Sequence, residues 1–223
     1  MARDEYQTAL EDLRADVLDL GADVIAQLED GLTALESGDE TIARDVIDAD
    51  DGINDRYLTL EGDCVDLLAL QQPVASDLRF IAASFKILTD LERVGDLATN
   101  LARYSLSTEH HAHEVDVQAI GADASDQLEA ALTAYETEDA AACHAVAARD
   151  DDLDALCQRA SERVVRDLLE REAGDDSWAV ERVLDDVSRI LLTIRDLERV
   201  GDHAVNVAAR TLYMLENDPQ LLY

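Results

Sequence analysis

Seven consecutive residues occur twice in this chain, letter for letter: Asp90-Leu91-Glu92-Arg93-Val94-Gly95-Asp96 and Asp196-Leu197-Glu198-Arg199-Val200-Gly201-Asp202. The match runs on through Ala98 and Ala204, Asn100 and Asn206, and Ala102 and Ala208. Upstream, Asp39, Val46, Asp50, Ile53 and Asn54 correspond to Asp139, Val146, Asp150, Leu153 and Asp154 at a constant offset of 100 positions. The chain is a tandem duplication, so its fold must be one unit used twice. Duplication of a stable scaffold explains repeated apolar letters. Here the best-preserved letters are polar, which scaffolding alone does not require.

The unit is helical. Apolar residues recur at helical spacing, as in Leu10, Leu13, Val17, Leu20, Val24 and Leu28, with Asp and Glu filling the positions between. Aromatic residues make up only 4% of the chain and prolines number two, which disfavours strands and leaves few helix breaks. Gly38-Asp39 reads as a C-cap glycine followed by an N-cap aspartate, and Pro73 suits a first helical turn. His110 to Glu114 reads as a linker, Thr137-Glu138-Asp139 as a turn, and Gly174-Asp175-Asp176-Ser177 as a loop. These marks predict six long helices, over 4–36, 39–70, 74–107, 115–136, 139–172 and 177–215. Short connections make successive helices antiparallel, so the expected fold is all-α: two tandem three-helix bundles, over 1–110 and 111–223. The offset between copies grows from 100 to 106 downstream, which places six extra residues in the loop after the fifth helix, where a loop absorbs them at small entropic cost.

At 223 residues and 48% apolar content, the chain can bury a substantial core. Its net charge of −33 works against that core by self-repulsion. The acidic groups are spread over every segment, and Lys86 is the sole lysine. This is the surface of a halophilic protein, for which molar salt shortens the Debye length to ~3 Å. Binding to nucleic acid is excluded on charge. No apolar run approaches the ~20 residues that span a bilayer, and the first residues lack the apolar stretch of a signal peptide, so a cytoplasmic protein without membrane insertion is expected. Cys64, Cys143 and Cys157 are odd in number and far apart, and read as buried small hydrophobes.

Glu92, Asp96 and Asn100 follow i, i+4, i+8 and form a stripe along one helix, drifting ~40° per step. Glu198, Asp202 and Asn206 repeat it. On the second helix of each copy, Asp50 with Asn54, and Asp150 with Asp154, add another i, i+4 oxygen pair, with Asp51 and Asp151 beside them. Like charges at this spacing cost a helix roughly 0.2–0.5 kcal/mol per pair, so their duplication invites a counter-ion. Carboxylate and amide oxygens suit Mg²⁺, Mn²⁺, Ca²⁺ or iron, and the lack of cysteine in the set argues against structural zinc. Gly95 and Gly201 lie in mid-helix, where glycine costs ~1 kcal/mol relative to alanine, and are expected to admit another backbone. Arg93 and Arg199 are expected to hold the carboxylates by salt bridges. His203 is a weaker candidate ligand, because the first copy has Leu97 there. The bland alternative, in a chain with 51 acidic residues, is that such pairs are solvated surface.

The stretches Leu68-Ala-Leu-Gln-Gln-Pro-Val-Ala-Ser-Asp-Leu-Arg79 and Lys86-Ile-Leu-Thr-Asp-Leu-Glu-Arg-Val-Gly-Asp-Leu-Ala-Thr-Asn100 resemble the signature of the PhoU family of phosphate-transport regulators, here of a haloarchaeal type. The resemblance covers nearly the whole chain. It implies two three-helix bundles, a homodimer, and multinuclear clusters of divalent or ferric metal ions (Fe, Zn, Mg or Mn) on paired E(D)xxxD motifs. Those motifs fall on Asp50 to Asn54, Glu92 to Asp96, Asp150 to Asp154, and Glu198 to Asp202. Asn54 departs from the pattern as a neutral donor, which implies a weaker first site. The implied role is negative regulation of phosphate uptake and phosphate-starvation signalling, by contact with the ATPase subunit of the phosphate ABC transporter and with a sensor histidine kinase.

Two other classes stand beside this one. A metal-storage or di-iron bundle requires Glu-x-x-His ligands, and no histidine here has Glu three residues before it. A metal-free helical adaptor is compatible with the same pattern. No paired nucleophile and base and no phosphate-binding glycine loop is present to support an enzyme.

Overall fold

In the computed structural model, which describes residues 3–71, 74–106, 115–170, 177–217 and 221, the chain forms six helices. They are α1 (Arg3–Ser37), α2 (Glu40–Gln71), α3 (Ala75–Leu106), α4 (Val117–Thr137), α5 (Ala140–Glu170) and α6 (Ser177–Glu216). The predicted bounds hold to within a few residues. Pro73, the run His110 to Glu114 and Gly174-Asp175-Asp176 lie outside the described residues.

Local chemistry sets the ends. Gly38 ends α1 at φ 65, the left-handed conformation that glycine adopts without a Cβ penalty. Its counterpart Glu138 takes φ 55 after α4, where its carboxylate pairs with Arg14 of α1. Asp39 Oδ1 accepts the Thr41 amide at 2.8 Å, and Asp139 Oδ1 accepts the Ala141 and Ala142 amides at 2.8 and 3.1 Å, so both copies start their second helix on the same cap. Asp116 caps α4 by accepting from Ala119 at 3.0 Å.

Within each copy the three helices pack on one another. The copies join where α1 meets α4 and α3 meets α6. These four helices make a closed ring, with α2 laid outside α1 and α3, and α5 outside α4 and α6. One core runs through both copies and draws on every helix, including Leu20, Cys64, Leu91, Leu128, Leu153 and Leu197. The join obeys a pseudo-two-fold axis. Leu132 of α4 covers Gly21 of α1 and Leu32 of α1 covers Gly121 of α4, each so closely that a Cβ on the glycine would collide with the leucine methyls. Arg14 adds a polar lock by lying over the rings of Phe80 and Tyr135, 4.9 and 5.4 Å from their centres, while donating to the Tyr135 carbonyl at 3.0 Å. The buried Tyr135 hydroxyl meets Ser84 Oγ at 2.7 Å.

The three cysteines are free and buried, and burial pushes the thiols of Cys64 and Cys157 up to about 12 and that of Cys143 to about 11. Among the described residues, no helix is long and apolar enough to cross a membrane.

Candidate functional site

Each copy turns one acidic face outward between its second and third helices. In the second copy Asp150 and Asp154 come from α5, and Glu198 and Asp202 from α6. Their environment favours the protonated form. Burial raises the Asp150 carboxyl above its ordinary value, the Gln127 amide opposes that by hydrogen bonding, and Asp154, Asp202 and Asp151 raise it further. Burial, then Asp154, Asp202 and Asp150, raise Glu198 against Arg195; burial and Asp154 raise Asp202 against His203 and Arg199. Four carboxylates from two helices thus repel one another across a face that is partly open to water.

The first copy is milder. Asn54 replaces the fourth carboxylate and donates to Asp50 Oδ2 at 3.4 Å, while Thr99 donates to Asp50 Oδ1 at 3.1 Å. Arg93 reaches Glu92 at 3.4 Å and Asp96 at 3.3 Å. Glu92 is still raised, by burial first, then by Asp96 against Arg93, with Asp50 raising and His203 lowering it. Among the described residues, no three carboxylate, imidazole or thiol side chains stand close enough to hold a metal ion.

The structure brings eight of the ten proposed ligands to these faces and sends Asn100 and Asn206 elsewhere. Asn100 Nδ2 donates to Asp196 Oδ2 at 3.3 Å, and Asn206 Nδ2 to Asp90 Oδ1 at 3.1 Å, so both amides bridge α3 and α6. His203 joins the second bridge with Nδ1 2.9 Å from Asp90 Oδ1, and Tyr104 joins the first by donating to Asp196 at 3.0 Å. Burial and this bond push the Tyr104 hydroxyl up to about 12. Arg199 also departs from expectation: it pairs with Asp196 at 3.6 Å, whereas Arg93 does hold its own face.

The mid-helix glycines have a different reason from the one expected. The atoms nearest to a Cβ at Gly95 or Gly201 belong to side chains of other helices. A Cβ on Gly95 would stand 3.2 Å from Gln27 Oε1, and one on Gly201 would stand 3.2 Å from Gln127 Oε1, 3.1 Å from Asp150 Oδ1 and 2.5 Å from Leu153 Cδ2. The two glutamines sit behind the faces, one in each copy, and are missing from the sequence reading. Gln127 Nε2 donates to the Val146 carbonyl at 3.2 Å and to Asp150 Oδ1 at 3.1 Å. Gln27 Nε2 donates to the Val46 carbonyl at 3.2 Å and to Thr99 Oγ1 at 3.4 Å, and Thr99 carries the contact on to Asp50. Both Oε1 atoms are buried without a hydrogen-bond partner among the described residues. A signal existed: Gln27 occupies a core-facing step in the series Val17, Leu20, Val24, and recurs 100 positions later as Gln127.

Comparison with known proteins identifies the duplicated unit. Residues 17–105 and 117–211 each match the PhoU domain, so the duplicated unit is that domain. A phosphate-specific transport system accessory protein PhoU homolog from Pseudomonas aeruginosa is 34% identical over 95% of this chain and 85% of its own length. The crystal structure of PhoU from Pseudomonas aeruginosa superposes with a TM-score of 0.85 at 34% identity, covering 96% of this chain and all of that one. The phosphate transport system regulatory protein PhoU from Streptococcus pneumoniae gives 0.86 at 26% identity, covering 96% and 98%. The duplicated helices, the shared core and the relatives agree: this chain belongs to the PhoU family, whose members are regulatory accessory proteins and not enzymes.

Proposed function

We propose that this protein is an accessory regulator of phosphate-specific transport that restrains uptake when phosphate is plentiful, by docking on the ATPase subunit of the phosphate transporter. The observation that carries this reading is the full-length match to accessory proteins of such systems. The geometry adds where to look. Both copies keep repelling carboxylates on open faces, at a cost to stability.

Those faces suit a hard cation. No three of these side chains converge as they stand, so Asp150, Asp154, Glu198 and Asp202 would have to draw together to hold it in the second copy, and Asp50, Asn54, Glu92 and Asp96 in the first. The fit rests on donor chemistry: oxygen ligands only, with carboxyls from two helices that raise one another's proton affinity. A bound Mg²⁺, Mn²⁺, Fe or Zn ion would supply that charge and leave coordination positions for a partner's carboxylate or phosphate. The neutral Asn54, occupied with Asp50, makes the first face the weaker binder. A homodimer and a sensor histidine kinase contact belong to the same proposal through the resemblance; a salt-adapted setting belongs to it through the net charge of −33, and a cytoplasmic one through the lack of long apolar runs.

The test compares phosphate uptake in parent, deletion and Glu92→Ala/Glu198→Ala strains, with protein levels checked by blot. Deletion is expected to raise uptake in phosphate-replete cells, and the double substitution to imitate it while remaining helical. A deletion strain whose uptake and phosphate-responsive expression match the parent under replete and starved conditions would leave the metal-free adaptor as the better account.

A further inference from the structure

Gln127 is wholly buried and Gln27 nearly so, on core-facing stripes of α4 and α1 that are otherwise apolar. Burying an amide whose oxygen finds no donor destabilises a core, and an apolar side chain at either position would avoid that loss. Glutamine nevertheless stands there in both copies, 100 positions apart. What its amide nitrogen reaches differs between the copies by one step. In the second, Gln127 Nε2 donates to Asp150 Oδ1 directly at 3.1 Å, and Asp150 Oδ2 has no hydrogen-bond partner among the described residues. In the first, Gln27 Nε2 donates to Thr99 Oγ1 at 3.4 Å, Thr99 donates onward to Asp50 Oδ1 at 3.1 Å, and Asn54 occupies Oδ2 at 3.4 Å. The second copy has Val205 in place of Thr99 and so has no hydroxyl to relay the contact. Gly201 suits the direct link, because a Cβ on it would stand 3.1 Å from Asp150 Oδ1 and 3.2 Å from Gln127 Oε1.

The geometry points to Gln127 as a positioning residue of the second acidic face: it holds Oδ1 of Asp150 inward and leaves Oδ2 as the oxygen offered to a cation. Asp150 is then the fixed point on which Asp154, Glu198 and Asp202 would close. Gln27 acts on Asp50 only through the Thr99 hydroxyl, and at a carboxylate whose second oxygen Asn54 already takes. A ligand oriented in advance has less freedom to lose on binding, and removing the hydrogen-bond partner of a ligating carboxylate weakens metal binding by about ten- to a hundredfold. The inference rests on the cation reading above and names the residue behind the face that prepares it.

The full chain carrying Glu92→Gln and Asp96→Asn, which silence the first face, is titrated with Mn²⁺ at the lowest KCl concentration that keeps it helical. Free Mn²⁺ is read by electron paramagnetic resonance. In this background Gln127→Met, which keeps the length of the side chain and removes its donor, is expected to weaken Mn²⁺ binding about ten- to a hundredfold. Its Tm in chelator is expected to stay at or above that of the background, because an apolar side chain replaces a half-satisfied amide. Adding Val205→Thr, which gives Asp150 the kind of hydroxyl that Thr99 gives Asp50, is expected to restore most of the affinity. With Asp150→Asn already present, Gln127→Met is expected to cost nothing further. Background affinity in the Gln127→Met protein, or an undiminished effect of that substitution beside Asp150→Asn, would overturn the inference and leave the cation reading standing. A chelator Tm well below that of the background would assign the amide to the fold and overturn it likewise. A background protein that takes up no Mn²⁺ would overturn both readings.

Discussion

Asn206 of α6 hands its side-chain amide to Asp90 of α3 across 3.1 Å, and the dyad-related pair, Asn100 and Asp196, does the same across 3.3 Å. The two bonds fasten the domain copies together where α3 meets α6. Removing a carboxylate strands half-buried donors, which costs about 1–3 kcal/mol. Asp90→Ala is therefore expected to lower Tm by about 2–4 °C per kcal/mol for a chain of this size. Asp196→Ala should cost more, because Asp196 is more deeply buried and also takes Tyr104 and Arg199. Thermal melts followed by circular dichroism measure both; a Tm unchanged in either would remove the bridges from the account of how the copies join.

Gly201 and Gly95 occupy equivalent positions with unequal surroundings. Alanine gains ~1 kcal/mol in a helix interior, against an overpacking cost of roughly 1–3 kcal/mol where a methyl has no room. At Gly95 the new methyl meets atoms at 3.2 and 3.4 Å, so the two effects should nearly cancel. At Gly201 it meets Leu153, Asp150 and Gln127 together, and destabilisation should win. Urea unfolding should rank Gly95→Ala near the parent and Gly201→Ala below it; the reverse order would refute the packing argument.

The acidic faces make stability depend on pH in a definite direction. Glu92, Asp150, Glu198 and Asp202 have folded-state values raised above those of the unfolded chain, so the folded protein binds more protons. Their contribution is fully present below the unfolded carboxylate values and is lost as pH rises through the folded ones. In chelator-treated protein, Tm is expected to climb as pH falls from neutral towards the ordinary carboxylate range. Divalent metal should flatten that rise by stabilising the ionised faces. A Tm that falls steadily over this interval in chelator would contradict the raised values.

Metal content tests the faces directly. Protein purified without chelator is expected to carry metal by elemental analysis, and Asp96→Ala/Asp202→Ala protein to lose most of it while staying helical. Equal metal in the two would make these carboxylates solvated surface.

The net charge of −33 predicts that folding requires salt, because screening at molar ionic strength shortens the range of repulsion to ~3 Å. Dialysis from molar KCl into dilute buffer should reduce the helical signal. Unchanged helicity and Tm across that range would rule out the salt-adapted reading.

The sequence by itself determined the six helices, their caps and the duplication, because helical period, cap chemistry and repeated letters are all local in the chain. It also placed Glu92 with Asp96 and Glu198 with Asp202 on one face, since i and i+4 differ by only ~40° about a helix axis. The same drift explains where that reasoning ended. By i+8 it reaches ~80°, so Asn100 and Asn206 have turned off the acidic face and towards the opposing helix. Only the packed structure supplied their partners, Asp196 and Asp90. Packing likewise decided that Arg199 serves Asp196, that Gly95 and Gly201 make room for side chains of neighbouring helices, and that Arg149 reaches Asp123. Each of these depends on which helices become neighbours and at what depth, and that is set by burial of one shared core, which no spacing within a single helix encodes.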